Sequence, residues 1–166
     1  MAHLLIIRGK IGSGKSTLAS SLAGQIHPSR IFEIDNLKIE KYGTTERCVP
    51  IIDFKSVGHQ VKTTLDQGVH AIVVEPLYRK KHFHYFLEAV GVREDAKNLS
   101  IIWLNCSLET ALKRKGHQHN KLTIFLQFLT YIFRYRPDNE EVFDMESIPC
   151  EKLTKDLVPR FGTRGA

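Results

Sequence analysis

The sequence predicts an α/β fold built around a parallel sheet, and three observations carry that expectation. Short apolar runs alternate with helix-patterned segments along the chain, the layout in which each strand returns through a helix to pair in parallel. The run His70-Ala71-Ile72-Val73-Val74-Glu75 is apolar and β-branched without alternation, as expected of a strand covered on both faces. The first run, Leu4-Leu5-Ile6-Ile7-Arg8, leads straight into a glycine-rich loop and then a helical pattern.

Residues 4–8 form the first strand. Residues 16–26 form a helix with Leu18, Leu22 and Ile26 on one face, stopped by Pro28. Residues 30–35 are a second strand, and 54–67 a second helix that ends at Gly68. The third strand, 70–75, precedes a helix over 82–90. The fourth strand, 99–105, precedes a helix over 108–115. Residues 121–135 read as one long helix, 141–144 as a short last strand and 149–160 as a closing helix. Residues 1–160 make one domain, and 161–166 are a frayed tail.

The long helix carries two apolar seams. One is Leu122, Phe125, Leu126, Leu129, Ile132 and Phe133, and the other is Ile124, Phe128, Tyr131 and Tyr135. A helix apolar on nearly all sides is buried or covers something. Three readings stay open: core packing, a wall of an acceptor pocket, or a contact between copies of the chain through helix 121–135.

Composition is that of an ordinary globular protein, with no apolar stretch long enough for a membrane span. Residues 1–7 are apolar but short and lack a basic leader, so they read as a strand and not as a signal peptide. Cys48, Cys106 and Cys150 lie far apart with no CxxC pair, which points away from zinc and disulfides and toward a reducing, cytoplasmic setting. Cys106 reads as a small core residue. The net charge of +6 suits a site for anions, with phosphates favoured over nucleic acid.

Gly9-Lys10-Ile11-Gly12-Ser13-Gly14-Lys15-Ser16 fits G-x-x-x-x-G-K-[ST] in full, and its strand-to-helix context fits as well. The glycines let backbone N–H groups approach phosphate oxygens, and the helix N-terminus adds partial positive charge. Lys15 is expected to meet the β- and γ-phosphates of a nucleoside triphosphate, Ser16 a Mg²⁺ ion, and Thr17 the α-phosphate region. No N-K-x-D follows a strand, which argues against a GTPase and favours a kinase.

With the P-loop this near the first residue and a basic segment later, the chain resembles the small P-loop kinases. These include shikimate, gluconate, nucleoside and nucleotide kinases, chloramphenicol phosphotransferase and the kinase part of polynucleotide kinase. The resemblance implies a three-layer α/β/α fold with a five-stranded sheet in the order 2-3-1-4-5. It implies a transferase that moves the γ-phosphate of ATP, with Mg²⁺, to a hydroxyl of a small molecule. Asp35, closing the second strand, matches the acid that meets the acceptor hydroxyl; Glu33 and Glu40 are rivals, and an Asx turn or helix cap is the structural alternative. Glu75 matches the strand-end acid that supports Mg²⁺ through water or touches the acceptor, although Asp is commoner there. Arg79, ahead of Lys80 and Lys81, is a candidate for acceptor or phosphate contact. Residues 114–120 match the lid, with Arg114 as its first arginine. His117, His119 and Lys121 stand where a second arginine is usual, so Arg134 or Arg136 is expected to supply that charge. His117 and His119 alone are weak evidence for a metal.

Two further functions stay in view. One is a 5′-hydroxyl polynucleotide or RNA kinase, for which a continuous basic path to Asp35 would be needed. The other is an ATPase or nucleotide switch without an acceptor.

Overall fold

The computed structural model describes residues 1–34, 51–75, 77, 79–116 and 118–161, with 51–53 as backbone only. Five strands form one parallel sheet: β1 (Leu4–Gly9), β2 (Ser29–Glu33), β3 (His70–Val74), β4 (Leu99–Asn105) and β5 (Glu140–Asp144). Their order is β2-β3-β1-β4-β5, as the resemblance implies. β1 lies at the centre, with Ile7 level with Val74 of β3 and Ile102 of β4.

The apolar runs are continuous because the sheet is covered on both sides. Leu4 and Ile6 share one face with Phe32, Val73 and Ile101. Against it pack α2 (Ile51–Asp66) through Phe54, Val57 and Val61, and α3 (Lys80–Val90) through Phe83, Phe86 and Val90. Leu5 and Ile7 point the other way, onto α1 (Lys15–Ala23) and α6 (Cys150–Leu157) through Leu18, Leu22, Leu153 and Leu157. A smaller third cluster joins Cys106, Ala111 and Ile124 under α4 (Leu108–Lys115) and α5 (Lys121–Thr130). Cys106 is thus a core residue, and burial pushes its thiol pKa up.

Several boundaries differ from expectation. α1 begins at Lys15 and ends at Ala23, where Gly24 donates to the carbonyls of Ser20 and Leu22. Pro28 therefore precedes β2 and does not stop the helix. β2 starts one residue early and ends at Glu33, not 35; Asp35 and Glu40 lie outside the described residues. β3 ends at Val74 and leaves Glu75 just past it. α2 and α3 start earlier than expected, at Ile51 and Lys80. The closing helix spans Cys150–Leu157 and continues as a 3-10 turn, Val158–Phe161.

The largest correction concerns the long helix over 121–135. α5 stops at Thr130 and is followed by a 3-10 turn, Tyr131–Phe133. It is not buried on all sides: Ile124 is its one buried residue, and the seam running from Leu122 to Phe133 faces outward. No helix among the described residues is long and apolar enough to cross a membrane.

At the end of β1 away from the P-loop, His3 is buried in a T-shaped contact with the Phe161 ring. Its Nε2 lies 2.9 Å from the Ser100 hydroxyl, and its backbone N–H donates to Nδ1 of His70. Burial, with His70 adding to it, lowers the His3 pKa from 6.5 to about 4. Between those values the unfolded chain binds more protons than the folded one, so stability falls as pH drops from 6.5 toward 4. Thermal melts across that window test this. His3→Gln is expected to flatten the pH dependence, and an unchanged slope would remove His3 as its source.

Candidate active site

The site is built from the carboxyl end of β1 outward. Gly12 has φ 74°, and a β-carbon there would lie 2.9 Å from Cα of Ala111. The loop therefore packs directly on α4, a contact that only glycine permits. Gly14 has φ 91° and caps α1; a β-carbon there would meet nothing within 4 Å. The space beside it is therefore open.

Lys15 is half-buried, and its Nζ donates to the carbonyls of Gly9 at 3.0 Å and Lys10 at 2.9 Å. The ammonium is thereby held against the loop backbone. Ser16 and Thr17 are exposed in the first turn of α1, which carries no acidic residue to compete with an anion. The Ser13 hydroxyl is buried without a hydrogen-bond partner among the described residues. Lys10 differs from the rest: its Nζ turns toward the Cys106 carbonyl and sits 4.7 Å from the Phe128 ring centre. Ile11 packs into the third cluster beside Phe128 and Leu112.

Arg114 is exposed, and its Nη1 donates to the Gly12 carbonyl at 3.0 Å. The structure thus brings this arginine to the P-loop across 102 residues of sequence. Its neighbour His119 is exposed, whereas His117 lies outside the described residues. Glu75 is buried, and its backbone N–H donates to Ile7 at 3.2 Å, which sets it beside the strand that feeds the P-loop. Arg79 is exposed at the N-terminus of α3.

Arg134 is not an available lid arginine. Its side chain is buried, its Nη1 donates to Glu140 Oε2 at 2.5 Å, and its guanidinium lies 3.7 Å from the Trp103 ring centre. The other Glu140 oxygen accepts from Arg8. Arg8 is fully buried; its Nη2 donates to the carbonyls of Leu77 at 2.8 Å and Tyr135 at 3.0 Å. Burial lowers the Arg8 pKa to about 10 against the opposing pull of Glu140, so it remains charged at neutral pH. Leu77, two residues past Glu75, is buried at φ 41°, a strained value for a branched residue. Arg8 therefore ties the residue before the P-loop to the segment that follows Glu75. The sequence did hold a signal for this, a lone arginine inside an apolar strand. Its partner is 132 residues away, where no local pattern could reveal it.

No family model and no curated protein matches this chain in sequence. Solved structures do match. A sugar kinase from a Janibacter species superposes with a TM-score of 0.65 at 18% identity, over 96% of this chain and 92% of its own. A gluconokinase from Sinorhizobium meliloti gives 0.61 at 14% identity, over 96% and 91%. The APS kinase of Mycobacterium tuberculosis, solved with AMPPNP and APS, gives 0.66 at 12% identity, over 96% of each chain. At these identities the likeness speaks for architecture, and the chain has the fold shared by these small P-loop kinases.

Proposed function

We propose that the protein is an ATP- and Mg²⁺-dependent phosphotransferase acting on a hydroxyl of a small molecule. The observation that carries this reading is the P-loop itself. Left-handed Gly12 and Gly14 shape it, Lys15 is held at its backbone, and the first turn of α1 presents Ser16 and Thr17. An APS kinase with this fold was solved with a triphosphate analogue, which supports nucleotide binding here. The residues fit the metal as well: Ser16 supplies a hydroxyl at the helix start, and Glu75 a carboxylate at the end of the neighbouring strand. Bound Mg²⁺ would neutralise charge on the phosphates.

In this mechanism the loop N–H groups and Lys15 hold the phosphates, and Arg114 closes on the γ-phosphate as charge develops. Residues 114–120 would serve as the lid, within a domain spanning 1–160. Asp35 would accept the proton of the attacking hydroxyl, with Glu75 and Arg79 contacting the acceptor. The test is γ-phosphate transfer from ATP, screened against sugars, nucleosides, antibiotics and 5′-hydroxyl oligonucleotides. Transfer to none of these, with ATP hydrolysed alone, would favour an ATPase or switch. Asp35→Asn is expected to keep ATP affinity within a few-fold and to lower kcat about 100-fold, the low end for general acid–base catalysis. Joint loss of ATP binding and stability would show a structural aspartate, and full activity would move the base to another carboxylate.

A further inference from the structure

α5 and its 3-10 turn present two apolar faces with different fates. Ile124 and Phe128 face inward, onto Ala111, Leu112 and the P-loop residue Ile11. Leu122, Phe125, Leu126, Leu129, Ile132 and Phe133 face outward, with Leu122 61% exposed, Ile132 71% and Phe133 88%. Three- and four-residue spacing brings the outward residues of the helix onto one side. Six large apolar side chains in a row exceed the scattered exposure normal for a protein surface.

The same stretch concentrates the positive charge of the chain. Between Thr110 and Pro137 stand Lys113, Arg114, Lys115, Lys121, Arg134 and Arg136, and no Asp or Glu. That equals the formal net charge of +6, so the remainder of the chain is balanced. Lys113 pairs with Glu109 and Arg134 with Glu140, whereas Lys121 and Arg136 are exposed at the two ends of the apolar row.

We propose that this element is a docking surface for an anionic lipid bilayer. Apolar residues on one side of a helix, flanked by Lys and Arg, seat it at the boundary between headgroups and acyl chains. α5 has 10 residues, about half of what a spanning helix needs, so it would lie on the membrane and not cross it. A second copy of the chain is a poorer occupant. A two-fold contact places the same patch on both partners, which would bring two like-charged stretches together. The apolar row also projects outward on an exposed helix, a shape that a deformable bilayer accommodates. The inward face of the same helix packs on Ile11, while Lys10 lies over Phe128, so docking would seat the P-loop close to the lipid surface.

The inference does not depend on the catalytic reading, and its test reads lipid binding alone. The full chain is sedimented with vesicles of phosphatidylcholine, with and without phosphatidylserine. Binding is expected only with phosphatidylserine, and weaker at high salt. Phe125→Ser combined with Phe133→Ser is expected to reduce binding about tenfold, through lost apolar insertion. Lys121→Glu is expected to reduce it about fivefold or more, through lost attraction to the anionic headgroups. These side chains are exposed, and unchanged circular dichroism would verify folding. Three results would overturn the proposal: no pelleting with phosphatidylserine vesicles, binding unaffected by either change, or a solution dimer dissolved by the double serine variant.

Discussion

Lys15→Ala is expected to lower phosphate transfer by about 100- to 1000-fold, the range seen when one preorganised donor to developing charge is removed. Triphosphate affinity should fall with it, because the ammonium contributes charge-assisted hydrogen bonds to the terminal phosphates before and during transfer. The geometry makes this residue hard to replace. Its Nζ is already held by the carbonyls of Gly9 and Lys10, so its position does not have to be found at each turnover. Neither neighbouring cation is placed to substitute. Lys10 turns to Cys106 and Phe128, and Arg114 approaches from α4 through the Gly12 carbonyl. Folding should survive, since Gly12 and Gly14 keep the loop backbone in place without the side chain. Nucleotide titration and a transfer assay on the same preparation measure both quantities. Full transfer with normal affinity would show that Lys15 does not hold the phosphates and would move the site away from this loop.

What the sequence revealed depended on how local the physics was. The P-loop was legible because all of its parts sit within nine consecutive residues, from Gly9 to Thr17. β1, β3 and β4 were legible because burial on both faces leaves continuous apolar runs such as Leu4-Leu5-Ile6-Ile7. The fate of α5 was not legible. Periodicity shows that a seam is apolar, but whether protein covers it depends on what the fold places opposite. Its Ile124 seam found α4, and its Phe125 seam found no protein among the described residues. Arg134 illustrates the same limit. As a charge beyond a helix it read as a lid arginine, yet Trp103 and Glu140 hold it in the interior.

Glu140→Ala is expected to destabilise the fold by about 3–5 kcal/mol, the usual cost of stranding a buried charge. The carboxylate is almost fully buried and takes one guanidinium on each oxygen, Arg8 on Oε1 and Arg134 on Oε2. Its removal leaves two cations facing each other in a site lined by Phe83 and Trp103. The aromatic faces offset some of that charge, each by about 0.5–2 kcal/mol, which is less than the desolvation of a guanidinium. Arg8 cannot swing to water, because its other nitrogen holds the carbonyls of Leu77 and Tyr135. The damage should therefore reach the site: Arg8 precedes Gly9, and Leu77 follows Glu75 by two residues. Urea midpoints of wild type and variant give the stability change. Hydrogen exchange across 8–16 and 75–79 shows whether the two segments loosen together. A loss under about 1 kcal/mol, typical of an exposed ion pair, would mean that water reaches these charges and that the network does not brace the P-loop.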